Sequence, residues 1–274
     1  IPTNRPESTN LGPMGKTSLK VGVLGAAGRM GQSVCSAVMQ GESMELVAAV
    51  DLTSGEAEVN SGDVPLTTEI SDFFKAEADV VVDFTVAESS RSNLPLLAEE
   101  GIDVVVGTSG LTEQDFRSFE EIFDQSSCLI VPNFAIGAVL MMHFAAIASP
   151  WFNTAEIIEY HHNQKVDAPS GTALATAERM HAASDQWEND PTVKENVPGA
   201  RGAKLEEISI HAVRMQGMVA HQEVILGSTG QTLTIRHDST DRESFMPGVV
   251  LSIQGIGALP NGLTIGIEKL LGIE

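Results

Sequence analysis

Basic residues are scarce in this chain. Lys and Arg number 16 against 37 Asp and Glu, which leaves a formal net charge of −21 and a pI near 4.6. That balance argues against recognition of nucleic acid through a broad basic surface. A small anionic ligand is still compatible with it, provided its pocket is assembled from a few identifiable cations; the plainer consequence of the acidity is solubility. Cysteine is scarcer still. Cys35 and Cys128 lie far apart and match no metal-ligand spacing, so two buried free thiols in a reducing compartment, the cytoplasm, are expected, with no metal. Long apolar runs are missing: no stretch reaches the roughly 18 residues of a membrane span. The opening IPTNRPESTNLGPMGKTS is polar, contains proline and lacks the apolar centre of a signal peptide. Residues 1–18 are expected to form a disordered leader, with Met14 a candidate start.

What remains is 274 residues of ordinary globular composition, 42% hydrophobic and 19% charged, enough for two modest domains. KVGVLG, from Lys20, reads as a buried strand, followed by a Gly-rich turn and a helix to about Gln40. LVAAVD (46–51), DVVVDFT (79–85), DVVVGTS (103–109) and CLIVPNF (128–134) are further strands, rich in Val and Ile and apolar on both faces. Segments between them, such as TEQDFRSFEEIF (112–123), have helical period, with Thr112 as N-cap. Strands of this kind separated by helices imply a parallel sheet covered on two sides. Pro95 is expected to kink or shorten its helix.

After Phe134 the texture changes. AIGAVLMMHFAAIA (135–148) reads as an apolar helix, AEIIEYHH (155–162) as a strand and SGTALATAERMHAA (170–183) as another helix. LEEISIHAVRM, VAHQEVILG and QTLTIRHDST then alternate apolar and polar residues around turns at Gln216-Gly217 and Ser228-Thr229-Gly230, which predicts an antiparallel meander. FMPGVVLSIQGIGAL (245–259) is helical again and is expected to pack back on the first domain.

Gly25-Ala-Ala-Gly28-Arg-Met-Gly31 follows the first strand and opens a helix. Glycine permits a tight turn and close approach of backbone N–H groups to a pyrophosphate, and the helix start adds partial positive charge. Asp51 ends the next strand, where a carboxylate is placed to accept bonds from an adenosine ribose. The plainer reading is a tight turn beside a surface aspartate. Asp51 should repel a 2′-phosphate and Leu52 offers nothing to hold one, although Arg29 could partly compensate, so NADH should serve at least as well as NADPH. Asp83-Phe84-Thr85 and Gly107-Thr108-Ser109-Gly110 end the third and fourth strands, where an open parallel sheet lines its ligand crevice.

HHNQKVDAPSGT (161–172) carries the second constellation. A strictly pleated strand would point His161 and His162 to opposite faces, so both reach one ligand only if the strand ends there. Lys165 follows in a loop. Ser170 is a good N-cap and leaves the N–H groups of Gly171 and Thr172 to bind a carboxylate, unless it merely caps its own helix. His211, His221 and His237 read as structural or solvent-facing, and Arg214 as an open candidate for a substrate carboxylate.

EIIEYHHNQKVDAPSGTA, with GAAGRMG, DFT, GTSG and VPNF, closely resembles the dihydrodipicolinate reductase family of lysine and diaminopimelate biosynthesis, from about Lys20 to the C-terminus. The resemblance implies NADH- or NADPH-dependent reduction of a cyclic imine dicarboxylate to tetrahydrodipicolinate. It implies His161 and Lys165 as proton donors, His162 as a substrate contact, and Gly171 and Thr172 as carboxylate binders. It places the cofactor on Gly25, Ala26, Ala27, Gly28, Arg29, Met30, Asp51, Gly107, Thr108, Ser109, Val131, Pro132, Asn133 and Phe134. Some relatives carry a basic residue where Leu52 and Ala27 stand here. A Rossmann-like domain of residues 19–134 and 242–274 is then expected. Beside it, residues 135–241 should form an α+β substrate domain with an antiparallel or mixed sheet, through which a homotetramer assembles.

Two other readings stay open on the residues alone. One is a different Rossmann dehydrogenase, acting on a sugar or an aldehyde; an aldehyde enzyme working through a thioester would need an active cysteine, and neither Cys35 nor Cys128 is well placed. A non-catalytic cofactor sensor would keep the glycine turn but has no use for His-His-x-x-Lys beside an anion-binding helix start.

Overall fold

A computed structural model of the chain describes residues 18–52 and 62–273. The leader expected over residues 1–18 therefore lies, but for Ser18, outside the described residues. In chain order the strands and α-helices are β1 (Leu19–Leu24), α1 (Arg29–Gln40), β2 (Met44–Val50), β3 (Leu66–Thr67), α2 (Ser71–Lys75), β4 (Val80–Asp83), α3 (Ala87–Glu99), β5 (Asp103–Val106), α4 (Glu113–Ile122), β6 (Ser127–Ile130), α5 (Ile136–Ala148), β7 (Thr154–His161), α6 (Gly171–Ala183), β8 (Ala203–Leu205), β9 (Ile208–Arg214), β10 (Ala220–Ser228), β11 (Gln231–Ser239), α7 (Met246–Gly255), β12 (Gly262–Ile265) and α8 (Glu268–Leu271).

Seven strands form one parallel sheet in the order β12-β6-β5-β4-β1-β2-β3. Its period-two alternation is apolar on both sides. Val21, Val23, Val80, Val82, Val105 and Leu129 pack into one core, while Leu24, Val81, Val104, Val106, Cys128 and Ile130 pack into a second. Helices α1 and α7 cover the first face, with Val34, Val38, Val249 and Ile253; helices α3 and α4 cover the second, with Leu94, Leu97 and Phe119. Thr112 caps α4 as expected, in a full capping box with Asp115. Helix α3, by contrast, runs through Pro95 without being shortened. Its own length and the buried Leu94 and Leu97 hold it on the sheet past the missing hydrogen bond. Strand β12 was not foreseen; it adds beside β6 and carries the C-terminal segment into the parallel sheet.

The second sheet has the order β11-β10-β7-β9-β8 and is mixed, since β7 runs parallel to β9 and antiparallel to β10. This corrects the expected meander. Strands β10 and β11 do form a hairpin closed by Thr229-Gly230, but β7 lies between β9 and β10. Strand β7 holds that place because its inward residues Ala155 and Ile157 share one core with Ile208 and Ile210 of β9 and with Val224 and Leu226 of β10. Helices α5 and α6 lie on that same core through Met141, Met142, Ala177 and Met180. The core is continuous with the first face of the parallel sheet, so both sheets are held against a single apolar mass. Among the described residues no helix is long and apolar enough to cross a membrane.

Candidate active site

Strand order reverses between β1 and β4, and the turn after β1 lies at that switch point. Gly25 has φ +83°, and a Cβ there would stand 2.6 Å from the Phe84 carbonyl oxygen. A Cβ on Gly31 would stand 2.0 Å from the Gly25 oxygen, so helix α1 can sit this close to the strand only with glycine there. The donors of the turn are assigned differently from expectation. Gly25 and Ala26 donate their N–H groups to Val50 O, Gly28 donates to Gly25 O, and Ala27 donates to Asp51 Oδ2 at 2.9 Å. These groups hold the turn together. The amides of Arg29, Met30 and Gly31 lie in the first turn of α1, ahead of the first intrahelical bond from Gln32 N–H to Gly28 O, and no side chain caps that turn. Asp51 also accepts from Leu52 N–H at 2.7 Å, which fixes its carboxylate at the end of β2.

The DFT and GTSG ends are likewise partly internal. Asp83 is fully buried and accepts from Thr85 N–H (2.9 Å), Thr85 Oγ1 (2.6 Å), Ser90 Oγ (2.6 Å) and Thr108 Oγ1 (3.2 Å). Burial pushes its carboxyl above the usual range, against those hydrogen bonds. The hydroxyls of Thr85 and Thr108 thus brace the strand ends. Phe84 and Gly107 line the open space, and Ser109 is exposed.

On the other side, β7 ends at His161, one residue before the expected 162, and His162 begins the loop. Yet the two do not converge. His161 lines a cavity, whereas His162 is exposed and its Nδ1 accepts from Gln164 N–H at 3.2 Å. Lys165 stands outside the cavity wall with Nζ 2.8 Å from Asp167 Oδ1. Ser170 does cap its own helix, its Oγ accepting from Ala173 N–H at 3.2 Å. Gly171 and Thr172 follow with helix-start amides, and Thr172 lines the cavity.

Beneath this segment lies a residue that sequence reading did not single out. Glu159 is fully buried and accepts from His161 Nδ1 (2.6 Å), Ser170 N–H (3.1 Å), and both terminal nitrogens of Arg214 (2.7 Å each). Burial alone would raise its carboxyl, but the bonds from His161 and Arg214 outweigh it and hold Glu159 down to about 2. Arg214 is therefore committed to Glu159, and its NH2 donates further to Asp167 O at 2.8 Å, so it is not a free carboxylate receptor. The signal for Glu159 was present: two residues before His161 on a strand is the same face.

The two halves meet in one cavity of about 330 Å³. Its parallel-sheet wall is Met30, Phe84, Gly107 and Val131 to Phe134; its opposite wall is His161, Ser170 and Thr172. Asn133 bridges them, donating from Nδ2 to Thr172 Oγ1 at 3.2 Å. His221 and His237 also line it, which corrects their reading as structural or solvent-facing; His211 is structural, its Nε2 2.6 Å from Glu156 Oε2. Gln222 and Ser239 complete that side, and the register that brings β10 and β11 there leaves no local mark in the sequence. Of the remaining expected cofactor residues, Gly25 and Ala26 are buried under the turn, Ala27, Gly28 and Arg29 form its outer lip, and Thr108 is buried.

Comparison with known proteins places this geometry. Residues 19–134 match the family model described as dihydrodipicolinate reductase, N-terminus, and residues 137–271 match its C-terminus counterpart. The 4-hydroxy-tetrahydrodipicolinate reductases of Cutibacterium acnes and Mycobacterium marinum are each 47% identical, covering 93% of this chain and 100% of theirs. A solved structure, dipicolinate-bound dihydrodipicolinate reductase from Paenisporosarcina sp. TG-14, superposes with a TM-score of 0.84 at 38% identity, covering 92% of this chain and 99% of that one. With both of its halves matched in order and full-length relatives at this identity, the chain belongs to the dihydrodipicolinate reductase family.

Proposed function

We propose that the chain reduces 4-hydroxy-tetrahydrodipicolinate to tetrahydrodipicolinate with NADH or NADPH, in lysine and diaminopimelate biosynthesis, at the cavity between the two sheets. One observation carries this reading: Met30, Gly107 and Val131 to Phe134 share a single cavity with His161 and Thr172, joined by the Asn133–Thr172 bond.

The residues fit a dinucleotide. Gly25 and Gly31 let the turn pack against Phe84 O and the start of α1 with no Cβ between them, which brings the uncapped first turn of α1 to the crevice to hold a diphosphate, and Asp51 is fixed where an adenosine ribose would lie. When bound, the reduced nicotinamide supplies a hydride. The protein's own task is to place a planar dianion and to neutralise the charge that develops on its ring. Gly171 and Thr172 offer amides to one carboxylate. His161 and Lys165 are the proton donors, and a positioned acid of this kind contributes about 10²–10⁴-fold. Lys165 exchanges Asp167 for the substrate, and His162 contacts it from the loop.

Residues 19–134 and 242–274 act as the dinucleotide domain, and 135–241 as the substrate and oligomerisation domain. The face of the mixed sheet turned away from α5 and α6 carries half-buried Ile158, Tyr160 and Ile225, which supports assembly of a homotetramer through that sheet. A cytoplasmic location fits the two buried free thiols.

The test is an assay of reduced-nicotinamide absorbance with freshly condensed pyruvate and aspartate semialdehyde. Turnover is expected, with dipicolinate competing against the imine substrate. Absence of turnover with either cofactor would overturn the assignment.

A further inference from the structure

We propose that Glu159, with Arg214 as its counter-ion, is a positioning residue for the reaction: it holds His161 with its hydrogen on Nδ1, so that Nε2 is the nitrogen offered to the cavity. This rests on the reading that His161 donates a proton to the substrate. A neutral imidazole has one N–H, and the nitrogen that carries it is set by the strongest nearby acceptor. Here that acceptor is a buried carboxylate 2.6 Å from Nδ1. When Nε2 gives up its proton, the ring left behind keeps the Nδ1 hydrogen and remains bonded to Glu159, so proton transfer needs no ring rotation. The fork of Arg214 on the same carboxylate, at 2.7 Å from each terminal nitrogen, fixes the carboxylate plane.

The same pair reaches the rest of the segment. Glu159 accepts the Ser170 amide, which ties the imidazole to the start of α6, and Arg214 donates to the carbonyl of Asp167, whose side chain holds Lys165. One buried ion pair therefore sets the relative positions of the imidazole, the loop bearing the ammonium and the helix-start amides. Stability alone is a poor reason for it, because well-packed apolar residues commonly replace a buried ion pair without loss.

Several charged or titratable groups surround His161. They are Glu159 on its own strand, Arg214 on β9, Lys165 and Asp167 with His162 in the loop, and His221 and His237 on β10 and β11 across the cavity, His221 itself paired to Asp238 at 2.7 Å. Glu159→Gln removes the carboxylate hydrogen-bonded to Nδ1 and leaves the other charges in place. Its expected effect is a fall in kcat of at least about tenfold, with KM and NADH affinity within about threefold, and a shift of the imidazole limb of the kcat–pH profile to lower pH. Glu159→Asp should recover part of kcat. In a His161→Gln background Glu159→Gln should cost little more, since the two act as a unit.

An unchanged pH profile, or a loss of equal size in both backgrounds, would make Glu159 structural and sink the proposal. ¹⁵N NMR of the imidazole in the unmodified protein needs no variant to fold. A neutral His161 bearing its hydrogen on Nε2 would also refute it. Failure of the underlying reading looks different: His161→Gln alone would leave kcat intact.

Discussion

Lys165 Nζ sits 2.8 Å from Asp167 Oδ1, outside the cavity wall, so the proton-donor role proposed for it requires leaving one carboxylate for another. Lys165→Ala should lower kcat by at least about a hundredfold, within the range of general acid catalysis, while NADH titration gives an unchanged affinity. Loss of NADH binding instead would place the lysine on the cofactor. Glu159 makes a second prediction, for stability. Folding lowers its carboxyl from 4.5 to about 2, so its contribution is complete above about pH 4.5 and drains away as pH falls through that window. Urea unfolding from about pH 5.5 down to about pH 3 should cost the unmodified protein more than Glu159→Gln, which is weaker at neutral pH but flatter across the window. Equal slopes would mean that the carboxylate is not held down by His161 and Arg214. Of these residues, His161 and Lys165 stand in the segment that the sequence singles out, and the structure brings His161 alone of the two to the cavity wall. Arg214 stayed an open candidate in the sequence because its partner Glu159 lies 55 positions away.

At the scale of elements, the β1–turn–α1 unit works through backbone distances. Within a helix, glycine to alanine commonly stabilises by about 0.5–1 kcal/mol. At Gly31 the added Cβ would stand 2.0 Å from the Gly25 oxygen, which reverses the sign. Gly31→Ala should destabilise by about 1–3 kcal/mol in urea unfolding and weaken NADH at least about tenfold, since the displaced α1 carries the Arg29 and Met30 amides with it. A stabilised variant with normal NADH affinity would show that the turn does not need the close approach. The mixed sheet was legible in its strands but not in their neighbours. Alternation marks a strand wherever it pairs, while the insertion of β7 between β9 and β10 depends on which apolar faces meet the shared core.

At the scale of the whole molecule, the net charge of −21 and a dianionic substrate pull against each other, and the cavity must compensate locally. Asp51 adds to that acidity at the end of β2, its two oxygens fixed by the Ala27 and Leu52 amides at the place proposed for the adenosine ribose. A 2′-phosphate would meet that carboxylate, so kcat/KM with NADH should equal or exceed the value with NADPH. An NADPH preference beyond about a hundredfold, or ~2.7 kcal/mol, would overturn this and give Arg29 the larger role. Sedimentation equilibrium should return a mass four times the 29.0 kDa of the chain; a monomer at assay concentrations would remove the sheet face turned away from α5 and α6 as an interface.

The sequence by itself determined the parallel sheet, the glycine turn and the capped start of α6. Each of these is written in hydrophobic period, capping residues and steric need among positions close along the chain. Tertiary structure alone decided that Glu159 pairs with Arg214, that His221 and His237 turn into the cavity, and that the turn spends its first amides on itself. Those outcomes depend on strand order and register, which are settled only when distant apolar faces are buried together.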